Sequence, residues 1–93
     1  MAVVTATTAG ARTQSINTEN LSVCDTASDS QFVSGPWVSN YGSSGSVVFK
    51  GGFGYCSGNT RVVGGGEKLS KIQACRSNTL RPMSCGSWVS TNY

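Results

Sequence analysis

Histidine is absent from this 93-residue chain, and its carboxylates number only four: Glu19, Asp25, Asp29 and Glu67. Without an imidazole, no Ser–His or Cys–His nucleophilic pair can be assembled within the chain. Asp25 and Asp29 leave a paired-carboxylate hydrolase formally open. Asp25-Thr-Ala-Ser-Asp29 reads more naturally as a turn whose Asp and Ser side chains satisfy nearby backbone N–H groups. Two scattered aspartates fall short of a calcium loop. The sequence therefore assigns no catalytic residue, no cofactor and no metal site. Proline occurs only twice, charged residues make up 12% of the chain, and no apolar run approaches the ~20 residues of a membrane span.

The scarcity of Glu, Lys and Leu argues against helices, whereas Val, Thr, Ser and Gly are plentiful and fit strands and turns. Low charge also argues against classical disorder. The expected class is all-β, a small antiparallel sandwich or barrel. A domain this short buries a marginal core and gains from covalent staples. Cys24, Cys56, Cys75 and Cys85 are widely separated, with no Cys-x-x-Cys pair. That spacing disfavours zinc and reads as two disulfides, hence as export to an oxidising compartment. Four cysteines permit three pairings. A local Cys75–Cys85 bridge across a hairpin is favoured, which leaves Cys24–Cys56. Met1-Ala-Val-Val-Thr-Ala lacks the basic and long apolar regions of a signal peptide, so Met1 reads as an added start on a mature sequence.

Along the chain, composition changes near Asn20. Residues 1–19 are rich in Thr and Ala and read as an extended or flexible N-terminal arm. Residues 20–93 read as the disulfide-stapled β-domain. Strands are expected at 21–25, 31–39, 46–50, 53–56, 60–63, 69–76 and 86–91, separated by clusters of Gly, Ser and Asn. Pro36 marks an edge or a break, because proline cannot donate to a ladder. Phe32, Trp37 and Trp88 are the expected aromatic core.

Four surface features offer binding functions. The arm presents Val3, Val4, Arg12 and Ile16 and can add a strand to a partner's sheet edge. The segment between Cys75 and Cys85 offers Leu80 and Arg81 as a tethered protease-inhibitor loop, although Pro82 follows Arg81. Tyr41, Phe53 and Tyr55 sit beside glycines and suggest a carbohydrate-binding patch. Charge is also uneven, at +5 over residues 50–81 and −2 over residues 1–49. A basic half of this kind steers acidic partners or simply protects strand edges. It lacks the density and the module expected of a nucleic-acid binder.

Leu21-Ser-Val-Cys-Asp25, Lys71-Ile-Gln-Ala-Cys75 and Ser84-Cys-Gly-Ser-Trp88-Val resemble recurring elements of small secreted disulfide-bonded β-proteins of actinobacteria. One group among these is the adaptor subunits of umbrella toxin particles. In them an N-terminal segment docks with a lectin subunit, and the adaptor bridges that subunit to a repeat-containing toxin. The resemblance implies a secreted, non-enzymatic adaptor with protein partners in interbacterial competition. Residues 1–19 correspond to that segment by position and composition alone. Gln73-Ala-Cys75 departs from the bulkier residues expected there. The alternatives are an antimicrobial or protease-inhibitor protein acting through the Cys75–Cys85 loop or a basic face, and a carbohydrate-binding module.

Overall fold

The computed structural model describes residues 3–28, 31–79 and 81–93, and it is all-β, in two antiparallel sheets. The first sheet holds β1 (Val4–Thr8), β2 (Ala11–Ser15), β3 (Asn20–Asp25) and the two-residue β6 (Thr60–Arg61), in the order β1-β2-β3-β6. The second is centred on β4 (Val33–Ser39). Along one edge of β4 runs β5 (Ser44–Phe49); along the other run β7 (Leu69–Ile72) and β8 (Cys75–Asn78), end to end. Outside them lie β10 (Val89–Ser90) on β7 and β9 (Arg81–Cys85) on β8.

The largest departure from the sequence reading concerns the first 19 residues. Among the described residues, 3–19 form no free arm: β1 and β2 make a hairpin in register from Val4↔Ser15 to Thr8↔Ala11, and β2 pairs with β3 over five positions. Gly10, with φ of 86°, supplies the left-handed residue of the tight turn. Ala6, Ala11, Thr13 and Ser15 are buried, so the hairpin's small residues form part of the core. A composition without large apolar groups looks like a tail, yet here it is what lets two sheets approach closely. At Gly35 of β4, an added Cβ would fall 2.6 Å from Val23 Cγ2 and 2.9 Å from Thr13 Cγ2.

The core is aliphatic. Leu21 and Val23 from the first sheet meet Val33, Leu69, Ile72 and Ala74 from the second. Trp37 packs only partly against this core, and its indole covers Gly45, its cross-strand neighbour on β5. Phe32 is half-buried and Trp88 is 41% exposed, so neither is the core residue expected.

Pro36 produces a break but not an edge, since β4 is central. Trp37↔Ile72 and Ser34↔Cys75 share one register, so β7 and β8 form a single strand line, interrupted where Pro36 has no N–H to give. The Gln73 N–H to Pro36 carbonyl bond, 3.0 Å, survives there. Residues 53–56, expected as a strand, form turns with one isolated bridge, Cys24↔Cys56, because Gly52 and Gly54 both adopt positive φ. The disulfides are Cys24–Cys56 and Cys75–Cys85. Such bonds persist in an oxidising environment.

Candidate protein-binding surface

Alternation along β4 fixes which side chains leave the sandwich. Val33 and Gly35 face Val23 and Thr13, so Ser34, Pro36 and Val38 face outward. Register then places Val48, Ser46 and Ser44 of β5 beside them on the same face. Across β4, Lys71 and Cys75 stand opposite Val38 and Ser34, and Cys85 pairs directly with Cys75. The second disulfide therefore lies on the outer side of this sheet, with Cys75 buried and Cys85 exposed. Met83, two residues before Cys85, is 39% exposed there, and Trp88 completes the surface. Together with Pro36, Trp37, Val38 and the disulfide, these two side chains line a shallow depression of about 500 Å³.

The chemistry of this face is uneven in a useful way. Lys71 holds its ammonium 4.8 Å from the centroid of the Trp88 ring, an arrangement that orients the indole and places a cation at the rim. The described carboxylates are all engaged elsewhere. Glu19 pairs with Arg61 at 3.7 Å on the first sheet, Asp25 ends β3, and Glu67 accepts a 2.9 Å bond from Ser39 Oγ at the β4–β5 turn. What remains outward on the second sheet is apolar, hydroxylic or cationic.

The sequence-derived candidates fall in several places. Val3 is exposed ahead of β1, Val4 is half-buried against the core, and Ile16 donates its N–H to Asn20 at the same end of the hairpin. Arg12 stands near the opposite end, opposite Cys24 on the outer face of the first sheet, with a guanidinium nitrogen 3.5 Å from the sulfur. These four do not form one patch. Leu80 lies outside the described residues. Arg81 is not on a long loop, because it opens β9 and pairs with Asn78 of β8, so the expected inhibitor loop is largely a stapled hairpin. Asn78 Nδ2 bonds the Pro82 carbonyl and Ser84 Oγ, which ties that strand further to β8.

Tyr41, Phe53 and Tyr55 are exposed but separated. Tyr41 belongs to the turn whose Asn40 N–H bonds Lys68, near Gly66. Phe53 and Tyr55 flank Asp25, whose carbonyl and N–H engage Gly54 and Tyr55. Thus Tyr41 lies at the opposite end of the sandwich from the other two. Phe53 borders a depression of about 400 Å³ with Asp25, Gln31 and Lys50, and the Lys50 ammonium is 5.3 Å from the Phe32 ring. Asp25 Oδ1 accepts the Ala27 N–H at 3.1 Å, the turn arrangement read from the sequence; Asp29 lies outside the described residues. No group of three or more metal-ligating side chains forms among the described residues. The basic residues are likewise dispersed: Arg61 lies in β6 of the first sheet, Lys71 on the outer second sheet and Arg81 in β9.

Sequence reasoning missed the outer face itself. The signals are present in Pro36-Trp-Val38 and Met83-Ser-Cys85, but in sequence Trp37 suggests core, Pro36 an edge or break, and Met83-Ser-Cys85 the end of a tethered loop. In comparisons with known proteins, the chain matches no family model, no curated protein and no solved structure.

Proposed function

We propose that this chain is an exported protein-interaction module without catalysis of its own, an adaptor that docks with protein partners in a secreted bacterial toxin assembly. The observation that carries the reading is the largely apolar outer face of the second sheet, free of carboxylates among the described residues, with Met83 and Trp88 exposed beside a covalently fixed disulfide. Rigid aromatic and Met anchors around a shallow depression match the anatomy of protein interfaces. The resemblance to toxin adaptors supplies the identity of the partners, a lectin subunit and a repeat-containing toxin. The two disulfides supply the extracellular setting. Docking through a released N-terminal arm is set aside, because Val4–Ser15 is committed to the first sheet. From that segment, Val3 and the outward side chains of β1 and β2 remain accessible.

The test is purification from native secretion medium, followed by the variants Met83→Glu and Trp88→Ala. The adaptor reading expects a stoichiometric protein partner that both variants lose while the disulfide-bonded fold persists. Recovery of monomer alone, or an unchanged complex with both variants, refutes it. Carbohydrate binding is a second reading, favoured by adjacent exposed Phe53 and Tyr55 beside the Asp25–Lys50 depression. It expects Tyr55→Ala to abolish retention on immobilised polysaccharide.

A further inference from the structure

Every open sheet must manage its edges, because an unpaired strand offers a row of N–H and C=O groups to any extended chain. Among the described residues, four of the five edge strands are blunted. β1 packs against Gly86, where an added Cβ would lie 2.5 Å from the Thr7 carbonyl oxygen. β6 and β10 are two residues each, and β9 carries Arg81 and Pro82. β5 has none of these devices. Its sequence, Ser44-Gly-Ser-Val-Val-Phe49, contains no charge and no proline, and it pairs with β4 from Val38↔Ser44 to Val33↔Phe49 without a register shift.

The direction of its backbone groups follows from one hydrogen bond. The Pro36 carbonyl accepts from Gln73, so residues 34, 36 and 38 of β4 turn their backbone groups toward β7 and β8. Residues 33, 35 and 37 consequently face β5, and their partners 49, 47 and 45 face back. The N–H and C=O groups of Ser44, Ser46 and Val48 then point away from the sheet, and all three residues are exposed. Among the described residues, no strand pairs with that edge. From Ser44 to Val48 the row spans about 13 Å, enough for five residues of an added strand.

The edge is also held in place before any partner arrives. Ser39 Oγ accepts the Tyr41 and Ser43 N–H groups at 3.2 and 3.1 Å and donates to Glu67, which fixes the turn into β5. A partner therefore meets an ordered strand and loses little by ordering it. Side chains of an added strand that point to the outer face would continue the Val48, Ser46 and Pro36 shelf. Lys50 follows β5 directly and Lys71 lies on the face, with no described carboxylate between them.

We infer that β5 is a docking edge at which an extended segment of a partner protein, apolar on one side and carrying carboxylates, adds as a further strand. The inference rests on the protein-interaction reading and names its contact.

To test it, ten-residue displayed peptides alternating variable apolar positions with Glu or Thr are selected on the intact protein, and the tightest one becomes the probe. Ser46→Pro removes one outward N–H and leaves the β4 ladder whole; Val48→Glu places on the same edge a charge that repels the probe's carboxylates and serves if the proline variant fails to fold. Either is expected to weaken the probe at least tenfold, and N-methylation of alternate probe amides to do the same. Hydrogen exchange at Ser46 and Val48 is expected to slow in the complex. Failure to select a probe, or equal binding by a folded edge variant, overturns the inference. If Met83→Glu loses the probe and folded Ser46→Pro does not, the outer face remains the interface and the edge proposal alone falls. If neither variant matters, both fall. A concentration-dependent dimer abolished by Ser46→Pro would assign the edge to a second copy and also overturn it.

Discussion

Gly35→Ala probes the contact on which the sandwich closes. Gly35 is buried at the centre of β4, and nothing about its backbone demands glycine, since its φ is not among the positive values. The obstacle is purely steric: a Cβ would meet Val23 Cγ2 at 2.6 Å and the Thr13 side chain at 2.9 Å. Both obstructing residues are fully buried in β2 and β3, whose neighbours hold them, so the sheets must part. Overpacking of one methyl in such a place costs about 1–3 kcal/mol. A domain of this size has about 5–14 kcal/mol in total, and each kcal/mol lowers Tm by roughly 4–8 °C. Urea unfolding of the oxidised protein should therefore show a lower midpoint with an unchanged slope. Val23→Ala removes the obstructing methyl. The double variant should be more stable than the two single losses predict, by about 1 kcal/mol or more. An unchanged midpoint for Gly35→Ala, or strict additivity with Val23→Ala, would refute this account of how the sheets meet.

Thr13 Oγ1 is buried without a hydrogen-bond partner among the described residues, so Thr13→Val should stabilise the domain by about 1 kcal/mol in the same assay. Ser39→Ala strands the Tyr41 and Ser43 N–H groups of the β4–β5 turn. It should cost about 1–2 kcal/mol and speed amide exchange at those two residues. Paired Cys→Ala replacements should rank by loop length: loss of Cys24–Cys56, which closes 32 residues, costs about 4 kcal/mol, and loss of Cys75–Cys85, which closes 10, about 3 kcal/mol. Reversed order in chemical unfolding would show that packing, not chain entropy, sets their worth.

Strands with large alternating residues were legible. Leu21–Asp25 and the Leu69–Arg76 line appear nearly as expected, because Leu21 and Val23, and likewise Ile72 and Ala74, bury one face at every second residue. The β1–β2 hairpin was not legible by the same criterion, since its buried face is Ala6, Ala11, Thr13 and Ser15. Its signal was Gly10 between two runs of period two, a turn cue that composition obscured. Trp88 misled in the opposite sense. Its size suggested the core, but its position on an edge segment puts the ring outside, where Lys71 covers it. The residues of the outer face were visible in Pro36-Trp-Val38 and Met83-Ser-Cys85, but their meeting was not, because it depends on which neighbours β4 acquires across the break at Pro36.

The disulfides and the edges answer the same physical problem. Neither disulfide belongs to the aliphatic cluster between the sheets: Cys24, though buried, stands on the Arg12 side of the first sheet, and Cys75–Cys85 lies on the outer side of the second. Each joins a central strand line to its flank. Cys56 tethers the turn-rich segment beside β3, where β6 provides only two paired positions. Cys85 holds β9 to β8, where Pro82 and a register shift weaken the ladder. Covalent bonds thus stand where hydrogen-bonded length is short. β5 needs no such tether, because its pairing with β4 is continuous over six residues. The strand most firmly held by hydrogen bonds on one side is therefore the one left most open on the other, and a fold that blunts its remaining edges concentrates strand-pairing capacity there.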